Sequence, residues 1–424
     1  MMNFDEFEIS DNVKKAIKDM GFEKPTSIQK LAIPEALNGL DIIGQAQTGS
    51  GKTVAFAVPI LEKIFIPDNS PQAVILCPTR ELCLQIAREI TKLAKNIKKL
   101  KVLAVYGGQP IGKQIRVLKK GVHIVVGTPG RVIDHLNRGT LNLIGVETVV
   151  LDEADEMLDM GFREDIEYIL RNTPRQRQTM LFSATMNVEV RKIAKMYQIN
   201  PKFIKVSQSR ENIPKITQHY YKSDERAKVD DLCRLIDTYN PKLCLIFCNT
   251  KKRVDFVLKN LKKRGYAADS LHGDMTQKIR DKVMNKFRNG NINIMVASDV
   301  AARGIDVLNI DLVVNFDIPH NVDDYTHRIG RTARAGKNGH AFSLVSPYDE
   351  YYFSQIKKQT SHKISKKHIP TLSEMEDIQN SLVMAKVSNS IENDNLEKYI
   401  KIVENAEADD TKIAAALLKM VREN

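Results

Sequence analysis

Tryptophan is absent from the 424 residues, and aromatic side chains make up only 6% of them. Any grip on a single-stranded polyanion is therefore expected to rest on the sugar-phosphate backbone, not on broad indole stacking. Cysteine is scarce as well: five residues with no C-x-x-C pair, a pattern that argues against a disulfide framework or a thiolate metal site. Cys77, Cys244 and Cys248 sit within apolar, strand-like runs and read as buried thiols. No apolar run approaches the roughly 18 residues of a membrane span. The polar start Met1-Met2-Asn3-Phe4-Asp5-Glu6 lacks the basic-then-apolar order of a signal peptide, so a cytoplasmic location is expected.

What the chain has in excess is positive charge. Its 64 Lys and Arg against 52 Asp and Glu give a net charge of +12 and a pI near 9.2, which favours a polyanionic partner. The length suggests roughly two to three domains, each large enough for its own core.

From residue 40 to about 205, short β-branched runs alternate with longer amphipathic stretches. The runs are Asp41-Ile42-Ile43, Ala73 to Leu76, Val102 to Val105, His123 to Val126, Thr148 to Leu151 and Thr179 to Phe182. This rhythm predicts a parallel sheet with helical crossovers. It restarts after the polar stretch Ser207 to Pro214, with strands expected at Leu243 to Phe247, Asn293 to Val296 and Leu312 to Asn315. The sheet is expected to end near Phe342 to Val345, before a basic segment from Lys357 to His368. The fold class is thus α/β, with two tandem parallel-sheet domains and a helical C-terminal extension. The expected boundaries are 1–206, a linker at 207–215, 216–366, and 367–424. In the extension, Leu396, Tyr399, Ile400 and Val403, and again Ile413, Ala416, Leu417 and Met420, form helical stripes expected to pack on the same chain. Asp409-Asp410-Thr411 is the expected N-cap region of the last helix.

Ala46-Gln47-Thr48-Gly49-Ser50-Gly51-Lys52-Thr53 follows a strand and opens a helix, the context of a phosphate-binding loop. Its glycines let backbone N–H groups converge on phosphate oxygens at a helix N-terminus. Lys52 is expected to reach the β- and γ-phosphates, and Thr53 to hold Mg²⁺ together with Asp152. Asp152 opens the quartet Asp152-Glu153-Ala154-Asp155 at the end of the run Val149-Val150-Leu151, where a second carboxylate can position an attacking water.

These motifs and their order resemble the DEAD-box RNA helicases over residues 1 to 366, and the resemblance implies RecA-like domains with ATP and Mg²⁺ as cofactors. Phe4 and the segment Gly21 to Gln29, with Phe22, Lys24 and Thr26, look like the family's adenine-reading segment. There the Gln29 amide would pair with adenine N6 and N7 while Phe22 stacks. The resemblance further implies that Glu153 orients the hydrolytic water and that Asp155 links the site to Ser183-Ala184-Thr185. His327-Arg328-Ile329-Gly330-Arg331-Thr332-Ala333-Arg334 resembles the arginine-finger motif, with Ala333 where Gly is commoner. Arg331 and Arg334 are three apart and would share one helix face, aimed at the γ-phosphate. Asp306 looks like the ribose-binding carboxylate.

An RNA path is implied by Pro78, Thr79 and Arg80, Gly107 and Gly108, and Thr128 with Arg131 on the first domain. On the second it is implied by Gly273, Gln277 and Arg280, and Ser298 with Asp299. Such positions line the crevice of an open parallel sheet. Backbone contacts of this kind imply weak sequence preference and strong salt sensitivity. Residues 370 to 424 resemble the dimerisation region of bacterial cold-shock DEAD-box helicases. That implies a homodimer, with RNA-degradation or ribosome-assembly proteins as partners. Two functions fit all of these motifs: an RNA-dependent ATPase that separates short duplexes, and an ATP-gated RNA clamp with little unwinding.

Overall fold

The computed structural model describes residues 3–47, 49–206, 216–299, 310–333, 338–360, 363–393, 395–405 and 408–423. The expected linker 207–215 and the residues Thr48, Asp306 and Arg334 lie outside the described residues.

The first sheet contains β1 (Ile42–Gln45), β2 (Ala73–Leu76), β3 (Val102–Val105), β4 (Ile124–Gly127), β5 (Thr148–Leu151), β6 (Gln178–Ser183) and β7 (Lys202–Lys205). Its helices are α1 (Asp11–Asp19), α2 (Ser27–Leu37), α3 (Lys52–Lys63), α4 (Arg80–Leu93), α5 (Ile111–Leu118), α6 (Pro129–Asn137), α7 (Ala154–Asp159), α8 (Arg163–Arg171) and α9 (Val188–Tyr197). The second sheet contains β8 (Ile216–Lys222), β9 (Cys244–Cys248), β10 (Ala268–Leu271), β11 (Ile294–Ser298), β12 (Leu312–Asn315), β13 (Gly339–Val345) and β14 (Ile364–Lys367). With it go α10 (Lys228–Tyr239), α11 (Lys251–Lys263), α12 (Gln277–Arg288), α13 (Val322–Ile329) and α14 (Glu350–Gln359).

Every ladder is parallel, and the strands run β3-β4-β2-β5-β6-β1-β7 and β10-β11-β9-β12-β13-β8-β14. Counted within each sheet the two orders are the same, 3-4-2-5-6-1-7. Each sheet is covered on both faces, which is why its strands read as unbroken apolar runs. In β2, Ala73 and Ile75 enter one core while Val74 and Leu76 enter the other. All five cysteines are buried free thiols.

Two expectations fail, wholly or in part, at the C-terminal end. The second sheet does not stop at β13, because the basic segment itself forms β14 against β8. An edge strand needs a ladder on one side only, and lysines on its open side discourage further pairing. Beyond it come α15 (Leu372–Asn393), α16 (Glu397–Glu404) and α17 (Asp410–Glu423). Asp409 caps α17 by accepting from Lys412 N at 3.1 Å. The apolar stripes pack on this chain only in part: Leu396, Val403 and Ile413 are half-buried, whereas Tyr399, Ile400, Leu417 and Met420 are all more than half exposed.

Candidate nucleotide site and nucleic-acid track

The loop from β1 into α3 turns through Gly49 and Gly51, with φ of +80° and +90°. A side chain at Gly51 would be strained twice, since a Cβ there would lie 2.4 Å from Gln29 Nε2. That proximity reveals a bracing contact. Gln29 Nε2 donates to the Gly51 carbonyl at 3.0 Å, and its Oε1 accepts from Thr26 N at 2.9 Å. The segment expected to read adenine therefore grips the phosphate loop directly, and each end of the Gln29 amide retains one further hydrogen-bonding position. Phe22 is 40% exposed and free to stack, with Lys24 also exposed. Phe4 differs from its expected role: it is buried edge-on against Phe7 within the first domain's core.

Lys52, the first residue of α3, is buried, with Nζ 3.2 Å from the Ala46 carbonyl and 3.9 Å from Asp152 Oδ1. Ser50 Oγ closes the loop on the Gln47 carbonyl at 2.8 Å. Asp152 follows β5, and burial pushes its pKa up to about 6 against the opposing pull of Lys52. A buried carboxylate held in that balance is suited to a cation, which would keep it ionised. Thr53 lies in the first turn of the same helix. The donor set, one carboxylate and one hydroxyl, suits Mg²⁺ completed by phosphate oxygens and water.

Glu153 holds φ +51°, ψ +51°, a left-handed conformation costly for any residue with a Cβ. The turn is fixed because Glu153 N donates to Asp152 Oδ1 at 3.0 Å and the next residue starts α7. Asp155 Oδ2 accepts from Thr185 N and Thr185 Oγ1 at 2.7 and 3.0 Å, and Ser183 Oγ receives Asp155 N at 3.3 Å. The acidic quartet is thus wired to the end of β6, as expected.

From the second domain, His327 Nδ1 reaches Glu156 Oε1 at 2.7 Å. Burial opposes the charged ring, but the Glu156 hydrogen bond and the charges of Glu156 and Asp155 outweigh it and raise the His327 pKa. Arg331 is buried, although not on a helix face: α13 ends at Ile329, with Gly330 as C-cap. Beyond the cap Ala333 turns left-handed at φ +56°, which accounts for glycine being the commoner residue there. Motif spacing gave Arg328 no role, yet it is the hub of this domain. Fully buried, it donates to both oxygens of Asp299 at 2.6 and 2.7 Å, to Asn249 Oδ1 at 2.7 Å and to the Asp317 carbonyl at 2.6 Å. Asp299, expected on the RNA path, has both oxygens on this arginine.

Along the expected path, Thr79 caps α4 by accepting from Leu82 N, and Pro78 before it is buried. The Arg80 guanidinium lies 4.5 Å over the Tyr106 ring. Nothing lies within 4 Å of a Cβ built on Gly107, and Gly108 is left-handed at φ +81°. Thr128 is the N-cap residue of α6, and Arg131 is anchored on the Gln109 carbonyl at 3.1 and 3.2 Å. Gly273 is exposed, Ser298 is half-buried and Gln277 starts α12. The two halves meet in a reciprocal pair: Arg80 Nη2 to Asp281 Oδ2 at 3.1 Å, and Arg280 Nε to Glu81 Oε1 at 2.6 Å. Glu81 and Asp281 had no assigned role, and the only hint in the sequence is that each follows a track arginine.

Comparison with known proteins agrees with this geometry. Residues 26–193 match the DEAD/DEAH box helicase family, 227–336 the helicase conserved C-terminal domain, and 370–424 the RNA helicase DeaD dimerization domain. The chain is 48% identical over 423 residues to the DEAD-box ATP-dependent RNA helicase CshA of Geobacillus kaustophilus, covering 99% of this chain and 90% of that one. Among solved structures it resembles S. cerevisiae Dbp5 bound to RNA and ADP BeF3, with a TM-score of 0.78 and 31% identity, covering 90% of this chain and 99% of that one. It also resembles a point variant of S. cerevisiae Dbp5 bound to a point variant of Gle1 and to IP6, with a TM-score of 0.70 and 31% identity over 91% and 99% of the two chains. With the phosphate loop braced by Gln29, the acidic quartet tied to Thr185 and a second parallel-sheet domain supplying Arg331, the matched families and the 48% identity over nearly the whole chain show that it belongs to the DEAD-box ATP-dependent RNA helicases.

Proposed function

We propose that RNA-stimulated ATP hydrolysis drives closure and reopening of the two domains, with local, non-processive separation of short RNA duplexes. The observation that carries this reading is the division of the site across the cleft. Lys52, Asp152 and Glu153 belong to one domain and His327 and Arg331 to the other, with His327 on Glu156 at 2.7 Å. The reciprocal Arg80–Asp281 and Arg280–Glu81 pairs bridge the same cleft on its RNA side. The likeness to Dbp5 bound to RNA and ADP BeF3, with a TM-score of 0.78, supports RNA and an adenine nucleotide as the two ligands.

In this reading the backbone of residues 47 to 53 and Lys52 bind the phosphates, and Phe22 and Gln29 take the adenine. Asp152 and Thr53 would hold Mg²⁺, which when bound would supply charge neutralisation at the transferring phosphoryl group. Glu153 orients the water, and Asp155 transmits the state of the quartet to Thr185. Arg331, with Arg334, stabilises transition-state charge once the domains close, so that hydrolysis waits on RNA. Asp306 takes the ribose. The working units are 1–206, 216–366 and 367–424, the last forming a homodimer through its exposed stripes, in the cytoplasm. RNA bends along Arg80, Arg131 and Arg280 without sequence preference.

Strand displacement and RNA-stimulated ATPase measured on one preparation test the proposal. ATPase without displacement would instead favour the ATP-gated clamp. Removal of residues 370–424 is expected to leave RNA-stimulated ATPase in place and halve the mass by light scattering.

A further inference from the structure

In a chain without tryptophan, the stretch from Tyr348 to Phe353 holds four aromatic residues, Tyr348, Tyr351, Tyr352 and Phe353. Packing uses only part of them. Phe353 and Ile356 anchor α14 in the core beneath it, at 4% and 1% exposure. Tyr348 and Tyr351, by contrast, are 83% and 68% exposed. Tyr352 sits between, stacked on His320 with centroids 4.5 Å apart and planes at 22°, and edge-on to Tyr351 at 5.5 Å. Tyr351 and Lys358 are seven apart on α14 and share its outer face. Nearby, Lys357 Nζ lies 4.9 Å over the Tyr220 ring, and Lys366 of β14 is opposite Tyr220 in the ladder.

Charge decides what this face suits. Its two acids are engaged by lysines, Glu350 with Lys222 at 2.7 Å and Asp349 with Lys228 at 2.8 Å. Around them Lys357, Lys358, Lys363 and Lys366 are exposed. Planar rings presented to solvent among lysines match single-stranded nucleic acid, whose bases stack while its phosphates meet the cations. An apolar protein partner would be poorly served by this density of charge at the centre of an interface.

We propose that the outer face of α14, through Tyr348 and Tyr351 with Lys358 and with Lys366 of β14, is a second binding surface for single-stranded RNA. It is separate from the crevice path. The track residues of this domain follow β10 and β11, whereas β8 and β14 lie at the other edge of the sheet. From β11 to β8 is four inter-strand steps, roughly 19 Å at about 4.8 Å each. The surface would therefore hold the flank of an RNA whose centre occupies the crevice, raising affinity for long RNA over short through effective concentration. RNA as the polyanion rests on the function proposed above.

The test uses the full chain and polyuridine of about 10 and about 30 nucleotides, with affinity read by fluorescence anisotropy and ATPase measured at saturating short RNA. The double variant Y348A/Y351A is expected to bind the long RNA roughly tenfold more weakly, with short-RNA affinity and ATPase unchanged. Phenylalanine at both positions is expected to preserve binding and leucine to lose it, since a ring and not merely an apolar surface is required. Wild-type affinity for the long RNA in Y348A/Y351A, or in the leucine variant, would overturn the proposal. Wild-type RNA affinity combined with a loss of mass by light scattering would overturn it in favour of a contact with a second copy. Failure of the wild-type chain to bind either RNA would instead refute the function from which the polyanion was taken.

Discussion

The two domains share one strand order but differ at the equivalent loop. In the first, β1 leads through left-handed Gly49 and Gly51 to Lys52 at the head of α3. In the second, β8 leads through Ser223-Asp224-Glu225-Arg226-Ala227 to Lys228 at the head of α10. Both lysines begin their helix and both are buried. Lys52 Nζ lies 3.2 Å from the Ala46 carbonyl and 3.9 Å from Asp152 Oδ1 beside the left-handed turns at Gly49 and Gly51, whereas Lys228 is held by Asp349 at 2.8 Å and Glu225 at 3.2 Å. Carboxylates at a helix N-terminus take the place an anion would fill. A fold repeated twice thus hosts chemistry once, and the duplicate position becomes a fastening.

The sharpest way to break that contrast is to remove both lysines separately. Lys52→Ala is expected to lower RNA-stimulated ATPase at least about a hundredfold with little change in melting temperature. Lys228→Ala is expected to leave the chemistry in place in the folded fraction and to cost about 2 to 3 kcal/mol of stability. That estimate is discounted from a fully buried pair because Glu225 is partly exposed. Thermal melts beside ATPase assays decide the matter, and an inactive but fully stable Lys228 variant would end the comparison. Next in size is Glu153→Gln, expected to retain ATP and RNA but to hydrolyse about a hundredfold more slowly. Wild-type turnover would remove Glu153 from its role.

The features that separate the domains were unequally legible. The phosphate loop and the acidic quartet are contiguous in sequence, so spacing alone identified them. Strands such as β2, β5 and β12 were visible because burial on both faces leaves an unbroken apolar run. β14 was hidden because an edge strand carrying Ser365, Lys366 and Lys367 looks like a solvated charge run. The fastening of Lys228 was invisible for another reason: Asp349 lies 121 residues away, and nothing local marks it. Phe4 and Arg328 show the same limit, since a motif position does not say whether a side chain faces ligand or core. The reciprocal neighbours Arg80-Glu81 and Arg280-Asp281 are adjacent in the sequence, but only their ion pairs with one another, 201 and 199 residues apart, give them meaning.

Those pairs measure how strongly the domains depend on one another. Glu81→Gln removes the better buried of the two, and RNA-stimulated ATPase is expected to fall about tenfold while RNA-free activity stays as it was. An equal loss with and without RNA would assign Glu81 to the first domain alone. The His327–Glu156 contact adds a pH dependence whose sign is fixed. Because the folded pKa of His327 is raised, its contribution to closure is complete below the ordinary histidine value and is lost as pH rises through the raised one. Glu156 and Asp155 favour the charged ring, and Arg331 opposes it. Domain closure followed by energy transfer between dyes is expected to weaken severalfold as pH rises from below the ordinary histidine value through the raised one, and His327→Gln to flatten the profile. A slope that survives in the glutamine variant would place the titrating group elsewhere.

The smallest effect concerns a parallel in backbone strain. Each domain sets one functional residue beside a left-handed non-glycine position, Glu153 at φ +51° in the first and Ala333 at φ +56° in the second. Glu153 cannot be relieved without losing its carboxylate, but Ala333 carries only a methyl group. Ala333→Gly removes about 1 to 2 kcal/mol of left-handed strain and gives back about 0.5 to 1 kcal/mol in the entropy of the unfolded chain. The net is a gain between about 0 and about 1.5 kcal/mol, or a rise of at most roughly 3 to 6 °C in the second domain's melting temperature. The turn is already fixed from both sides: Thr332 Oγ1 donates to the Ile310 carbonyl, and a Cβ at Gly339 would meet Ala333 N at 2.7 Å. Arg331 should therefore keep its aim, and RNA-stimulated ATPase should be unchanged in the glycine variant. If the glycine variant melts higher but hydrolyses more slowly, the alanine methyl is holding the arginine in place, and the strain on the second domain serves catalysis as Glu153 does on the first.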